Sequence, residues 1–171
     1  FGFVNRAVEA MSVQAYPFCQ EEYVLVSATG SNVVGPTSLD ELLALPMISY
    51  PGMIECLNRW TACHFCESDP IGPVALSIHG QFNDIRGALA MVAGHLGVTV
   101  LPRHVAMAQM DGGTIQVLEV TSADPDAARA MQQIWIVRLK ERRMPARVKR
   151  VIRWFLEMHT ELQPLPEEFL E

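Results

Sequence analysis

The sequence predicts an α/β fold in which strands and helices alternate and the sheets are mixed but mostly parallel. Short β-branched runs such as Val98-Thr99-Val100-Leu101 are separated by segments of helical periodicity, and tight glycine and proline turns join the two. Strand, helix, strand in that order favours parallel strands with right-handed crossovers. Half of the 171 residues are hydrophobic, which is enough to bury a core and excludes a disordered tail. No apolar run reaches the roughly 18 uninterrupted residues that a membrane span needs.

The elements follow in order. Phe1 to Val4 is a short apolar strand, Val13 to Tyr16 alternates as a half-buried strand does, and Tyr23 to Val26 is a third, β-branched strand. Thr29-Gly30-Ser31-Asn32 breaks the pattern as a loop. Ser38, with Glu41 three residues on, has capping-box spacing and starts a short helix that Pro46 ends. Met47 to Tyr50 is a strand, Pro51-Gly52 turns, and a helix runs from about Ile54 to Cys66. Pro73 to Ile78 reads as a strand closed by Gly80.

The clearest helix spans about Asp84 to His95, with Asn83 as N-cap and Gly97 as its stop; Ile85, Ala88, Leu89, Val92 and Leu96 mark its apolar face. Val98 to Leu101 is a buried strand ended by Pro102. Asp111-Gly112-Gly113 turns into an extended stretch from Thr114 to Val120, and Thr121 to Asp126 is a polar loop. Ile134 to Val137 is a strong strand. Pro145 fits a first helical position, Val148, Val151, Ile152, Phe155 and Leu162 share one face of the helix after it, and Leu165-Pro166 with the following acids reads as a frayed tail.

The formal net charge of −6 argues against the whole chain binding nucleic acid. Eight of the thirteen basic residues nevertheless lie between Arg138 and Arg153. A basic groove for DNA is the sharper reading of that cluster; a solvated strand end and helix face is the plainer and preferred one. The four cysteines, Cys19, Cys56, Cys63 and Cys66, are too few for a disulfide-stapled module of this size, and reduced thiols in a cytoplasmic protein are expected. The opening Phe1-Gly2-Phe3-Val4 has no initiator Met and no signal-peptide pattern, so it reads as a cut inside a longer protein.

The chemistry-bearing motifs are sparse. There is no G-x-S-x-G elbow, no H-E-x-x-H and no P-loop. Gly94-His95-Leu96-Gly97 follows a helix instead of opening one, so it reads as a helix stop packed near a strand. Cys63-His64-Phe65-Cys66 has metal-like spacing and, with Cys56 or His79, could complete a zinc site. No second C-x-x-C pair accompanies it, and helix packing is the preferred reading. No catalytic residue, metal site or cofactor is expected. His79 stands at the end of one strand, and Ser49 and Tyr50 end another directly before a helix; ligands of open α/β sheets gather at such strand ends. Asn5 and Arg6 follow the first strand, where Arg6 can pair with a carboxylate or serve as a solvated turn residue. Thr99 sits in an apolar strand, so its hydroxyl needs a partner, a backbone carbonyl being the plain alternative to a ligand.

Four stretches then align with one family in order and spacing. They are Glu22-Tyr23-Val24-Leu25-Val26; Thr37 to Leu43 followed by Leu45 to Tyr50; Ala90 through Gly94-His95-Leu96-Gly97 to Leu101-Pro102; and Ile134 to Val137 with Arg147 through Leu156. The chain resembles the effector-binding domain of LysR-type transcription regulators over nearly its whole length. The resemblance implies a two-lobed fold like that of periplasmic binding proteins, with crossover strands joining the lobes. Residues 1–28 and 134–171 would form part of lobe I and residues 29–133 lobe II. It implies a small-molecule effector, such as a carboxylate or another metabolite, in the interlobe cleft at Asn5, Arg6, Ser49, Tyr50, His79, Gln81 and Thr99.

It also implies a homodimer or homotetramer, paired through helices near Asn5–Met11 and Asp84–His95, with no enzymatic reaction and no membrane contact. DNA would be bound only through the family's winged helix-turn-helix. That domain has no counterpart here, nor has the opening strand and helix of lobe I. Three alternatives stand beside this reading: a periplasmic solute-binding protein, a metal-dependent enzyme using Cys63, His64 and Cys66, and a pure dimerisation module.

Overall fold

A computed structural model describes residues 1–6, 8, 10–65, 69–120, 129–158, 162 and 164–170. The chain divides into two compact units, Phe1–Glu21 with Gln132–Glu171, and Glu22–Met131. It passes from one to the other twice, within β2 (Val13–Ala28) and within β7 (Ala130–Leu139).

Strand β2 joins in one element the two runs that the sequence reading separates. Pro17 withholds one donor but its fixed φ suits an extended chain, so it interrupts nothing. The burial pattern instead records the change of surroundings. Most residues from Val13 to Cys19 are half-buried, whereas Tyr23 to Ala28 are buried without interruption. A strand covered on both faces loses its alternation.

In the larger unit, β2 pairs antiparallel with β5 (Thr99–Pro102), Val26 opposite Thr99, and with β6 (Ile115–Val117), Ala28 opposite Ile115. Strand β3 (Met47–Ser49) runs parallel to β4 (Ile78–Gln81), and a parallel bridge joins Met47 to Val98. The sheets are therefore mixed, with the parallel pairing confined to the strand-helix-strand run around β3, β4 and Val98. The pairings of β2 run antiparallel because β2 enters from the other unit and no right-handed crossover connects it to β5.

Among the described residues, four α-helices belong to this unit: α1 (Leu39–Ala44), α2 (Met53–His64), α3 (Ile85–Ala93) and α4 (Arg103–Asp111). Leu42, Met53, Leu57, Leu89 and Val92 from three of them close the core against Leu25, Met47, Ile48 and Leu101. Helix α1 starts as its spacing predicts: Ser38 Oγ accepts from Glu41 N at 3.2 Å. The Glu41 carboxylate reaches Thr37, one residue earlier than a capping box requires, accepting from its N–H at 2.7 Å and its hydroxyl at 2.8 Å. These bonds hold the Glu41 carboxyl below its ordinary pKa.

Three sequence expectations need correction here. Pro73–Ala75 form a 3-10 turn and the strand begins only at Ile78, because proline favours a turn and gives the ladder no donor. Gly80 lies inside that strand and does not close it, because it pairs with Ile48 and the ladder runs on to Gln81 opposite Ser49. The N-cap of α3 is Asp84, not Asn83: its Oδ1 accepts from Arg86 N and Gly87 N, each at 2.9 Å. Helix α4 was not anticipated. The helix-stop reading of the 94–97 stretch does hold. Gly94 caps α3, His95 turns into the left-handed region at φ 61°, and a Cβ on Gly97 would come within 2.1 Å of Pro46 O.

In the smaller unit, β1 (Gly2–Val4) pairs antiparallel with β7, Phe3 opposite Ile136, and β7 neighbours β2. Helix α5 (Ala146–Met158) begins just after Pro145, whose carbonyl accepts from Val148 N at 2.9 Å. The core is Phe18, Ile136, Met144, Ile152 and Phe169. Phe169 belongs to α6 (Glu167–Leu170) and is fully buried, so the last residues are anchored and not the frayed tail expected from their acids. Burying one such ring contributes about 1.5–3 kcal/mol, enough to hold a short segment down. Tyr16 meets it edge-on at 5.3 Å and the Arg138 guanidinium lies 5.6 Å over it. Asn5 and Arg6 form a bend and Met11 a turn, and none of the described residues between Asn5 and Met11 is helical, where the sequence reading placed a helix. The polar loop expected from Thr121 to Asp126 lies outside the described residues.

Candidate functional site

Five of the seven expected site residues belong to the larger unit, and its strand pairing brings four of them to one region. Ser49 closes β3 directly opposite Gln81 on β4, and its carbonyl accepts from Phe82 N at 2.9 Å. Thr99 opens β5, fully buried, and its hydroxyl donates to Ile48 O at 2.8 Å. Tyr50 leaves β3 with a buried ring, and its hydroxyl donates to Val100 O at 2.9 Å. Thr99 and Tyr50 thus stitch β3 to β5 through backbone carbonyls, the plain use of a buried hydroxyl. His79 and Gln81 are exposed and alternate on the same face of β4.

Two helices start beside these strand ends, and they start differently. Helix α3 is closed by the Asp84 carboxylate. Helix α2 follows Gly52 with no side-chain cap; Met53 N turns back to Tyr50 O at 3.1 Å, which leaves the amides of Ile54 and Glu55 open to a polar group. The sequence signal for that difference was a glycine at one N-cap and an aspartate at the other.

The remaining two residues belong to the smaller unit, exposed and just past β1. Asn5 O accepts from Gln132 Nε2 at 2.5 Å. The side chain of Arg6 extends from a bend.

The cysteine stretch is occupied with packing. Cys56 is buried with its sulfur 3.5 Å from the Tyr50 hydroxyl, and Cys63 packs half-buried against the core. The His64 ring stacks on Trp60 at 4.2 Å, and its Nδ1 lies 2.8 Å from Trp60 O. Cys66 lies outside the described residues. Among the described residues no three His, Cys, Asp or Glu side chains gather as metal ligands, and no helix is long and apolar enough to cross a membrane.

Residues 1–160 match the model of the LysR substrate binding domain. The chain belongs to that family. Solved structures agree in fold. The regulatory domain of CcmR from Synechocystis PCC6803, in complex with 2-PG, superposes with a TM-score of 0.66 at 12% identity, covering 91% of this chain and 71% of that one. The CrgA regulatory domain, from a LysR-type regulator of Neisseria meningitidis, gives 0.63 at 12% identity over 91% and 73%. The effector binding domain of QuiR in complex with shikimate gives 0.61 at 13% identity over 93% and 71%. No curated protein matches the chain. The LysR chain is thus the effector-binding domain of a transcription regulator, with the fold of periplasmic binding proteins, and such domains are regulatory ligand binders, not enzymes.

Proposed function

We propose that this LysR domain senses a small polar metabolite, a carboxylate being the favoured class, in the interlobe cleft characteristic of its family. Residues 1–28 and 134–171 would serve as lobe I and 29–133 as lobe II. The observation that carries the reading is the end of β3. Ser49 and Gln81 face each other there beside the uncapped start of α2, so hydroxyl, amide and backbone N–H donors lie on neighbouring elements. A carboxylate needs such donors. His79 would add a further polar group, Tyr50 and Thr99 would fix the strand ends, and Asn5 and Arg6 would contribute from lobe I. CcmR and QuiR were solved with 2-PG and shikimate, which supports a small-molecule effector here.

Binding makes and breaks no covalent bond. An effector that prefers one arrangement of the domain shifts its population by the difference in affinity, and attached DNA-binding domains respond to that shift. The protein would act in the cytoplasm as a homodimer or homotetramer. The edge of β4 with α3 is the pairing face on this unit, where Ile78 and Phe82 are exposed.

A thermal-shift screen against small carboxylates, amino acids and aromatic metabolites tests the reading, because a ligand of the folded state raises the melting temperature with dose. One chemical class should give a rise. Ser49→Ala and Gln81→Ala should each weaken that ligand by about 1 kcal/mol, the net value of one hydrogen bond. No rise with any of the three classes, together with a rise on adding zinc, would move the function to Cys63, His64 and Cys66.

A further inference from the structure

The chain crosses between its units at two peptide links, Glu21–Glu22 and Met131–Gln132. An arginine of the larger unit holds each crossing. At the first, Arg103 Nη1 lies 3.6 Å from Glu22 Oε1. At the second, Arg59 Nε and Nη2 both donate to Met131 O, at 3.3 and 3.2 Å. The far side of the second crossing is held as well, from the smaller unit. Gln132 Nε2 donates to Asn5 O at 2.5 Å, and Gln133 Nε2 donates to Cys19 O at 2.8 Å.

The two grips on the second crossing come from elements with a place in sensing. Arg59 lies on α2, the helix that starts just after Ser49 and Tyr50, and the partner of Gln132 is Asn5. A helix moves as a rigid rod, so a small displacement at its first turn reappears at Arg59. The forked guanidinium delivers two donors to one carbonyl, which fixes direction as well as distance. Arg59 is exposed, and its two hydrogen bonds to Met131 O tie its head group to the crossing.

We propose that Arg59 is a positioning residue of the sensor, coupling α2 to the path of the chain at Met131–Gln132, and that Arg103 is its counterpart at Glu21–Glu22. The sensing role rests on the effector reading above; the grip itself does not.

Hydrogen exchange of the whole chain without effector tests the grip on its own terms, so its failure is distinct from a failure of the effector reading. Arg59→Ala should speed exchange at residues 130–133 about fivefold, the factor equivalent to one net hydrogen bond, and leave residues 22–26 unchanged. Arg103→Ala should do the reverse with a smaller factor, being a single part-exposed ion pair. Arg59→Lys, which keeps one donor, should restore part of the protection. Spin labels placed through a ketone-bearing amino acid at Asp111 and Glu157 would report the consequence, a broader distance distribution in Arg59→Ala at an unchanged melting temperature. Equal loosening of both crossings would mean that Arg59 serves only overall stability. That result, no change at residues 130–133, or an unchanged distance distribution would each overturn the proposal.

Discussion

The two units of this LysR domain are built on different scales. The larger has 24 buried apolar residues in one continuous cluster among those described, whereas the smaller has five. The smaller also leaves Phe1, Phe3, Val151, Trp154 and Met158 at its surface, three of them from the helix that supplies buried Ile152. Buried fraction rises with the size of a core, so a small core stands closer to the threshold of stability. The residues that would read an effector in the larger unit are strapped to backbone carbonyls of a dense core. Asn5 and Arg6 are exposed bend residues beside a sparse one. Elements that move on binding are drawn from the low-stability end of a structure, which favours the smaller unit as the one that responds.

Removing one large side chain from each core is the strongest way to break that contrast. Phe169→Ala should cost the smaller unit about 3–5 kcal/mol and Leu57→Ala the larger about 2–5 kcal/mol, both being fully buried rings or chains. The former approaches the whole stability that a small core supplies, so amide protection in residues 132–170 should collapse while that in 22–120 persists. Leu57→Ala should lower the denaturation midpoint and leave the larger unit folded. Loss of protection in both units after Phe169→Ala would show one cooperative body and would dissolve the comparison.

Gly97→Ala probes the rigidity of the larger unit at a single contact. The added methyl would meet Pro46 O at 2.1 Å, in the same turn where Val98 N donates to Pro46 O at 2.8 Å. The backbone must move, at a cost of about 1–3 kcal/mol typical of overpacking. Chemical denaturation should show that loss. An unchanged midpoint would mean that β3 and the 94–97 turn can slide apart, and that the dense half is softer than its packing implies.

The parts of the fold that could be read in advance are those where local chemistry and tertiary packing agree. Ser38 with Glu41, the periodic face of α3 and the run from Val98 to Leu101 are of this kind. The misses fall where a distant partner decides. Nothing near Phe169 announces that Tyr16 and Arg138 wait for it, and the acids around it argue for a solvated end. Helix α4 presents Ala106 to the core but has no side-chain cap at Pro102 and a weak apolar face, so its period is faint. The strand ends of the candidate site were visible as positions. A backbone carbonyl for the Thr99 hydroxyl was legible as the plain alternative, but which carbonyl, and the use of the Tyr50 hydroxyl, were not, because the acceptors, Ile48 O and Val100 O, lie about fifty residues away in the chain. Arg59 carried no signal for the same reason, its acceptor being Met131 O.

The smallest expected effect concerns how the larger unit fastens its helix ends. Ser38→Ala removes the acceptor for Glu41 N and should cost about 1 kcal/mol, the usual value of an N-cap. Acidity should act on the same end through Glu41, whose pKa is lowered by the N–H and hydroxyl of Thr37. A depressed carboxyl contributes stability above its unfolded pKa, and the contribution is lost as pH falls through the folded one. Exchange of the first α1 amides, corrected for intrinsic rates, should therefore be steady at neutral pH and quicken below the ordinary glutamate range. Glu41→Gln should remove that pH dependence. Because α1 is a surface turn with only Leu42 buried, the core strands around Leu25 and Met47 should stay protected throughout. If they loosened together with α1, the larger unit would open as a single piece from its edge, and the difference between the halves would be one of size alone.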